Sequence, residues 1–531
     1  MLVDGRSNMG SVLMVMVWHL AAVAVTAQGN PAIPLDPAKM AKLGAVDGRF
    51  ASYNIEMVEV TGGRFWKPYK SAAEEQNATK PATPPDADQQ VGTNSSLFEY
   101  RAPINLANPR LRKLAEALGP SYVRVSGSWQ NSTYFQDDDQ PALKEAPKGF
   151  KGVLTRAEWR GVVDFARATG GEIVTSFAIS PGTRGESGVW TPAQAKAFVD
   201  YTERIGGKIA ATEFMNEPTF PGPGGAPAGY DAAAFAKDAK LFEGFLRTES
   251  AQTIFLGPGS VGEGVPLAPG GGMMKLIGTE DILKATGPIF DAFSYHFYGA
   301  VSRRCMGNMS ADKALTAEWL DRTVAGEAFY AALRDKYVPG KPMWLTETAE
   351  AACGGDQFAG EFVDVFRYLN QLGTLAQKGV QVVMHNTLAA SDYGLLNEHT
   401  LEPRPDYWAA LLWKRTMGTV VLDPGTRADS TLRIYAHCSA SGNGGVTLLA
   451  LNTDTEKEQV ITVPSAAQGF TLTAPKLESP TVLVNGTQPS VAPDGSVGAL
   501  PPRPVKAGAV RLGPASATFL VIAGARNKGC M

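Results

Sequence analysis

Two glutamates in this chain sit where a carboxylate does little for folding. The segment "KIAATEFMNEPTF", residues 208–220, is an apolar strand that stops at Asn216-Glu217-Pro218, and "WLTETAEAACGG", residues 344–355, presents Glu347 in the same manner. A single strand-terminal Glu is ordinarily a solvated loop carboxylate. Two of them across one cleft suit glycosidic cleavage, in which one acid protonates the leaving oxygen and one carboxylate meets the anomeric carbon. The acid has to stay protonated near neutral pH, and a neighbouring carboxylate raises its pKa.

Positioning such a pair needs a scaffold. Short apolar runs recur at residues 50–57, 122–126, 172–179, 208–215, 253–256, 290–297, 342–346 and 380–385. Helical patterns lie between them at 108–118, 156–168, 192–205, 232–248 and 357–377. Eight strand–helix units predict a closed (β/α)8 TIM barrel; an open doubly wound sheet is the alternative. Barrel chemistry collects at the C-terminal strand ends. There the sequence places Glu56, Ser126-Gly127-Ser128, Asn216-Glu217, Tyr295-His296, Glu347 and His385-Asn386. After a helix at 406–417, short strands separated by Gly, Pro, Asn and Ser predict a C-terminal antiparallel β-sandwich. The expected division is a signal peptide at 1–27, a lead-in segment at 28–48 that packs on the sandwich, the barrel at 49–417 and the sandwich at 418–531.

Composition excludes several classes. The 531 residues are 44% hydrophobic and 19% charged with net charge −3, which advertises neither a nucleic-acid nor an anionic-membrane partner. Arg6 before the apolar run 12–25, followed by Val25-Thr26-Ala27, predicts export to the secreted or periplasmic space, with an uncleaved anchor as the alternative and no membrane span in the mature chain. Cys305, Cys353, Cys438 and Cys530 fit an oxidising compartment and allow three pairings. None lies in a CxxC, so no metal or redox cofactor is expected. Asn77, Asn94, Asn131, Asn308 and Asn485 each open an N-x-[ST] sequon. A polar stretch at 72–94 reads as a surface insertion. Gly257-Pro258-Gly259-Ser260-Val261-Gly262 matches GxGxxG, but Pro266 and Pro269 follow where a helix would begin, which argues against a dinucleotide. His296 and His385 could face the pocket, in structural or hydrogen-bonding roles.

The segments "RFASYNIEMVEVTGG", "YVRVSGSW", "EFMNEPTF", "WLTETAEAACGG", "PDYWAALLWKRTMGT", "IYAHC" and "TVLVNG" resemble glycoside hydrolase family 79, the heparanase and β-glucuronidase family of a retaining clan with (β/α)8 barrels. The resemblance implies a retaining hydrolase of β-linked glucuronic acid in oligosaccharides, polysaccharides or glycoconjugates. It implies Glu217 as acid/base, Glu347 as nucleophile and Asn216 on the sugar 2-hydroxyl. The backbone amides of Gly354 and Gly355, with Tyr393, would hold the glucuronate carboxylate. Glu56, Ser128, Tyr298 and Asn386 match further substrate contacts; Glu56 is longer than the Asp of mammalian heparanase, and Asp392 replaces an Asn. The chain lacks that enzyme's basic heparin-binding clusters and excised linker, with Arg303-Arg304 the one adjacent basic pair near the cleft. This leans toward exo action or a lightly sulfated substrate over an endo-acting heparanase or hyaluronidase type. A silent glycan-binding homologue is the other alternative. The resemblance also implies a Cys438–Cys530 bridge, which leaves Cys305 to pair with Cys353.

Overall fold

A computed structural model describes residues 32–69, 97–222, 224–267, 276–425 and 431–531. The expected signal peptide, the polar stretch 72–94 and the sequons Asn77 and Asn94 lie outside the described residues. Eight parallel strands close a barrel in chain order: β1 (Ala51–Glu56), β2 (Tyr122–Ser126), β3 (Glu172–Thr175), β4 (Ile209–Glu213), β5 (Ile254–Ser260), β6 (Ala292–Tyr298), β7 (Met343–Ala349) and β8 (Val380–His385). Helices return the chain between most of them, and some are started by a side-chain cap. Asp231 accepts from the Ala234 amide to cap Ala232–Glu249, and Thr155 with Glu158 forms a capping box for Arg156–Thr169.

The strands alternate their faces. In β2, Val123 and Val125 pack outward against the helices, while Tyr122 joins Val174, Leu256, Ala292, Trp344, Val382 and Met384 in an apolar floor inside the barrel. Above that floor the interior turns polar, with Arg124, Glu213 and Thr346 all buried. This change of filling along the barrel axis separates the folding end from the chemical end.

Several expected boundaries shift. β3 ends at Thr175 and β4 at Glu213, so Asn216 and Glu217 stand on the loop beyond the strand. β7 runs to Ala349, which places Glu347 inside the strand. The helix expected from 357 begins at Asp364, after a turn-rich stretch rich in Gly and Asp. β5 runs into the GxGxxG match as far as Ser260, and Gly257 lies so close to the Phe290 ring that any side chain would run into it. Those glycines serve close packing.

The C-terminal part pairs an antiparallel sheet in the order Lys42–Ala45, Met417–Leu422, Leu432–Ser439, Val446–Asn452, Ser516–Ile522, Ala467–Thr473 and Leu483–Val484 with a smaller sheet of Ile33–Pro34, Gln459–Val463 and Gly508–Leu512. The lead-in segment therefore supplies one strand to each sheet. The Met417–Leu422 strand follows the last helix, Pro405–Thr416, without a break. Cys438 is bonded to Cys530 and Cys305 to Cys353.

Candidate active site

Glu217 and Glu347 converge over the C-terminal mouth of the barrel. Together with His296 they offer one carboxylate oxygen or ring nitrogen each, all within 4.8 Å of one another. The loop carrying Glu217 is pinned from both sides. Asn131 accepts from the Asn216 amide and donates to the Asn216 carbonyl, both at 2.8 Å, and Thr219 Oγ1 donates to the Val261 carbonyl at 2.9 Å. Glu217 itself adopts φ +50°, a left-handed conformation that costs a non-glycine residue and persists where surroundings impose it. Its carboxyl group is the more open of the two, 18% exposed against 8% for Glu347.

Each carboxylate has its own environment. Glu347 accepts on both oxygens, from Arg124 Nη1 at 2.8 Å and from the Tyr298 hydroxyl at 2.6 Å. Among the described residues the Glu217 carboxyl group meets His296 Nδ1 alone, at 3.0 Å. Burial raises the Glu217 pKa and Glu347 adds to it, while the His296 hydrogen bond opposes the rise. The carboxyl group that no guanidinium contacts is thus one whose pKa is raised. His296 is fully buried; burial alone would lower its pKa, but Glu347 and its other carboxylate neighbours pull it up to about 9. Its Nε2 lies 3.2 Å from Arg124 Nη2 and 3.8 Å from Glu213 Oε1. The two protons of Arg124 Nη2 go to Glu213 at 2.9 Å and to Asn216 Oδ1 at 2.7 Å, so Nε2 carries its own.

The remaining expected residues gather around this centre. Asn216 has its carbonyl oxygen taken by Arg124, which turns Nδ2 toward Ser128 Oγ at 3.4 Å. Asn386 Nδ2 reaches Glu56 Oε1 at 3.1 Å, the Tyr393 hydroxyl at 3.1 Å and the Tyr298 hydroxyl at 3.3 Å. Glu56 lies over Gly127, where a side chain would collide with its carboxyl group. Burial, then Glu347, pushes its pKa well up, and its Oε2 has no partner among the described residues. A neutral acid in that position can donate a hydrogen bond as well as accept one.

The turn Cys353-Gly354-Gly355 departs from expectation in one respect. Both glycines adopt left-handed φ, +81° and +82°, as anticipated for backbone that approaches an anion. The Gly355 amide, however, closes the turn onto the Ala351 carbonyl at 3.2 Å. Of the two glycine amides, that of Gly354 has no hydrogen-bond partner among the described residues. His385 also differs, because it does not reach the pocket. It is held neutral, its pKa lowered to about 3 by burial, and Nε2 donates to the Tyr393 carbonyl at 2.8 Å.

Three functional residues escaped the strand-end reading. Arg124 and Glu213 sit one layer below the mouth, and Asn131 had been read only as a sequon. The available signal was a charge inside an apolar strand, as in Tyr122–Ser126 and Ile209–Glu213. At 0% exposure Asn131 is unavailable for glycosylation in the folded chain. Glu217, His296 and Glu347 are also close enough to hold a cation. Arg124 donating into Glu347 and the proton on His296 oppose one.

The chain matches the family model described as glycosyl hydrolase family 79, N-terminal domain, over residues 88–373. It is 30% identical to heparanase-like protein 1 of Arabidopsis thaliana over 390 residues, 68% of each chain. It is 35% identical to baicalin-beta-D-glucuronidase of Scutellaria baicalensis over 203 residues, 36% of this chain and 38% of that protein. The chain thus spans about two thirds of the first relative's length and less of the second's. Among solved structures, a 4-O-alpha-L-rhamnosyl-beta-D-glucuronidase from Fusarium oxysporum superimposes with TM-score 0.59 over 92% of this chain and 99% of that one, at 13% identity. That likeness is one of fold. The family match covers more than half of the chain, and it identifies the protein as a glycosidase belonging to glycosyl hydrolase family 79.

Proposed function

We propose that this chain hydrolyses β-linked glucuronides by double displacement with retention. The observation that carries the reading is the short distance between the Glu217 and Glu347 carboxyl groups, with oxygens within 4.8 Å. Inverting enzymes hold their carboxyl groups about 6.5–9.5 Å apart to admit a water, whereas retaining ones hold them about 5–5.5 Å apart. Glu347 attacks the anomeric carbon while Glu217 gives its proton to the departing oxygen. Glu217, now ionised, takes a proton from water, whose oxygen displaces Glu347 and restores both groups. Asn216 Nδ2 serves the sugar 2-hydroxyl, and the Gly354 amide with the Tyr393 hydroxyl serves the carboxylate.

The relatives named for glucuronide cleavage support the uronic acid. Surface charge supports a terminal or lightly sulfated sugar. Of the adjacent pair Arg303-Arg304, Arg304 is buried against Asp392, which leaves Arg303 exposed. The two disulfides accord with an oxidising, exported setting, and among the described residues no helix is long and apolar enough to cross a membrane.

The test is a 4-nitrophenyl β-glucuronide assay beside heparan sulfate and hyaluronan, with product sizing. A 2-fluoroglucuronide should label wild-type Glu347 covalently, and Glu347→Gln should abolish both labelling and turnover. An α-configured first product would overturn retention. Shortened polymers without monosaccharide would overturn exo action.

A further inference from the structure

One guanidinium in the barrel mouth donates to two backbone carbonyls and an internal carboxylate. Arg304 lies on a short turn after β6, between Arg303 and Cys305, with its side chain 6% exposed. Nη1 donates to the Cys353 carbonyl at 3.1 Å and to the Gly355 carbonyl at 2.8 Å. Nη2 donates to the Asp392 carboxylate, and the guanidinium covers the Tyr69 ring with its carbon 3.7 Å from the centroid. The loops after β6 and β7 are further stitched by Ser302 Oγ to the Cys353 carbonyl at 3.1 Å, by the Ala352 amide to the Ala300 carbonyl at 2.9 Å and by the Cys305–Cys353 bond.

These contacts orient the turn. In a trans peptide the C=O and the following N–H point in opposite directions. The Cys353 carbonyl is drawn to Arg304 and Ser302, so the Gly354 N–H points away from them. The Gly354 carbonyl accepts from the Asp392 amide at 3.2 Å, and the Gly355 N–H behind it is spent on Ala351. The Gly355 carbonyl goes to Arg304, and the Asp356 N–H behind it is spent on Glu350 at 2.8 Å. Gly354 has no room for a side chain, because a Cβ there would lie 2.7 Å from Trp66 Cβ and 2.9 Å from Ser391 Oγ. Gly355 rests against Tyr393 and Ala359.

We infer that Arg304 is a positioning residue: by holding both flanking carbonyls it aims the Gly354 amide, beside Tyr393, at the sugar carboxylate and thereby sets the preference for a uronic acid over its neutral counterpart. The inference rests on the glucuronide reading above. Arg304 touches no substrate. A planar fork that spans two carbonyls and a carboxylate cannot be replaced by a single ammonium.

The experiment measures kcat/KM for 4-nitrophenyl β-glucuronide and β-glucoside in wild type, Arg304→Lys, Arg304→Met and Asp392→Asn, with Tm recorded for each. Both Arg304 variants should lower the glucuronide-to-glucoside ratio at least about tenfold, chiefly through a raised KM for the glucuronide. Asp392→Asn keeps the carbonyl contacts and should lower it about threefold, which tests the inference even if the Arg304 variants fail to fold. If wild type prefers the glucuronide and every folded variant keeps that ratio, the positioning role is overturned while the glucuronide reading stands. Full rescue by Lys would assign the effect to charge alone and also overturn it. A wild type without preference overturns the glucuronide reading and the inference with it.

Discussion

His296 is the residue on which the two candidate catalytic carboxyl groups meet, 3.0 Å from Glu217 and 3.7 Å from Glu347. Burial would discharge it, yet the carboxylates hold its pKa up at about 9. A group whose folded pKa lies above its unfolded value stabilises fully below the unfolded value and loses that contribution as pH rises through the folded one. The window here runs from about 6.5, the ordinary histidine value, to about 9. Over it the wild type should lose roughly 3 kcal/mol of unfolding free energy through this group. Urea unfolding of His296→Gln at a series of pH values should show a flatter profile between those limits, and equal slopes would refute a charged His296. At this scale much was legible, since Glu217, Glu347, Asn216, Tyr298, Asn386 and Tyr393 all reach the cluster. What could not be read was the partitioning of protons. That depends on Arg124 reaching Glu347 across 223 positions of sequence.

At the scale of the element, β2 and β4 each carry a charge where the apolar filling of the barrel gives way. Arg124 and Glu213 are 1% and 0% exposed, joined at 2.9 Å. Burial, the largest influence, would raise the Glu213 pKa, but Arg124, His296 and Thr346 together outweigh it and hold the group well below the usual carboxylate range. A buried pair contributes little net stability compared with apolar filling, but removing one partner strands the other and costs about 3–5 kcal/mol. Arg124→Met should therefore destabilise the barrel by that order in equilibrium urea unfolding. It should also lower kcat, because Glu347 and Asn216 lose a common anchor. A loss under about 1 kcal/mol would mean that water replaces the guanidinium. The alternation of strands and helices made the barrel readable, since each unit is local in sequence. The end of β4 and the true reach of β7 were not, because a strand stops where its neighbour's register stops. The register between β7 and β8 slips between Leu345 and Thr348, and no local pattern records that slip.

Across the whole molecule one face of the larger sheet joins the barrel's hydrophobic core, while Leu432, Ile434, Leu448, Ile461 and Leu520 fill a second cluster between the two sheets. Tyr435, Leu449, Leu451 and Phe519 of the larger sheet pack in the same cluster as Leu369, Leu372 and Trp413 of the barrel's last helices. Polar contacts lock this seam: Asn370 Oδ1 accepts from the Tyr435 hydroxyl at 2.6 Å and from Arg433 Nη1 at 3.1 Å, and Arg433 Nη1 also meets Asp321 at 2.6 Å. The helix Asp364–Gln377 comes this close because Gly373 presents no side chain to the Tyr435 ring. Two effects of Gly373→Ala then oppose each other. Helix propensity favours Ala by about 1 kcal/mol. Its Cβ would overlap several ring carbons of Tyr435, and overpacking of this kind costs about 1–3 kcal/mol. Tyr435 cannot swing aside without breaking its hydrogen bonds to Asn370 and Thr374, so the steric cost should prevail. The variant should melt at a lower temperature than wild type, and still in a single calorimetric transition, because the larger sheet buries one whole apolar face against the barrel helices and would expose it if either part unfolded alone. A higher Tm would show that the seam yields, and two separated transitions would show that barrel and sandwich fold as independent units.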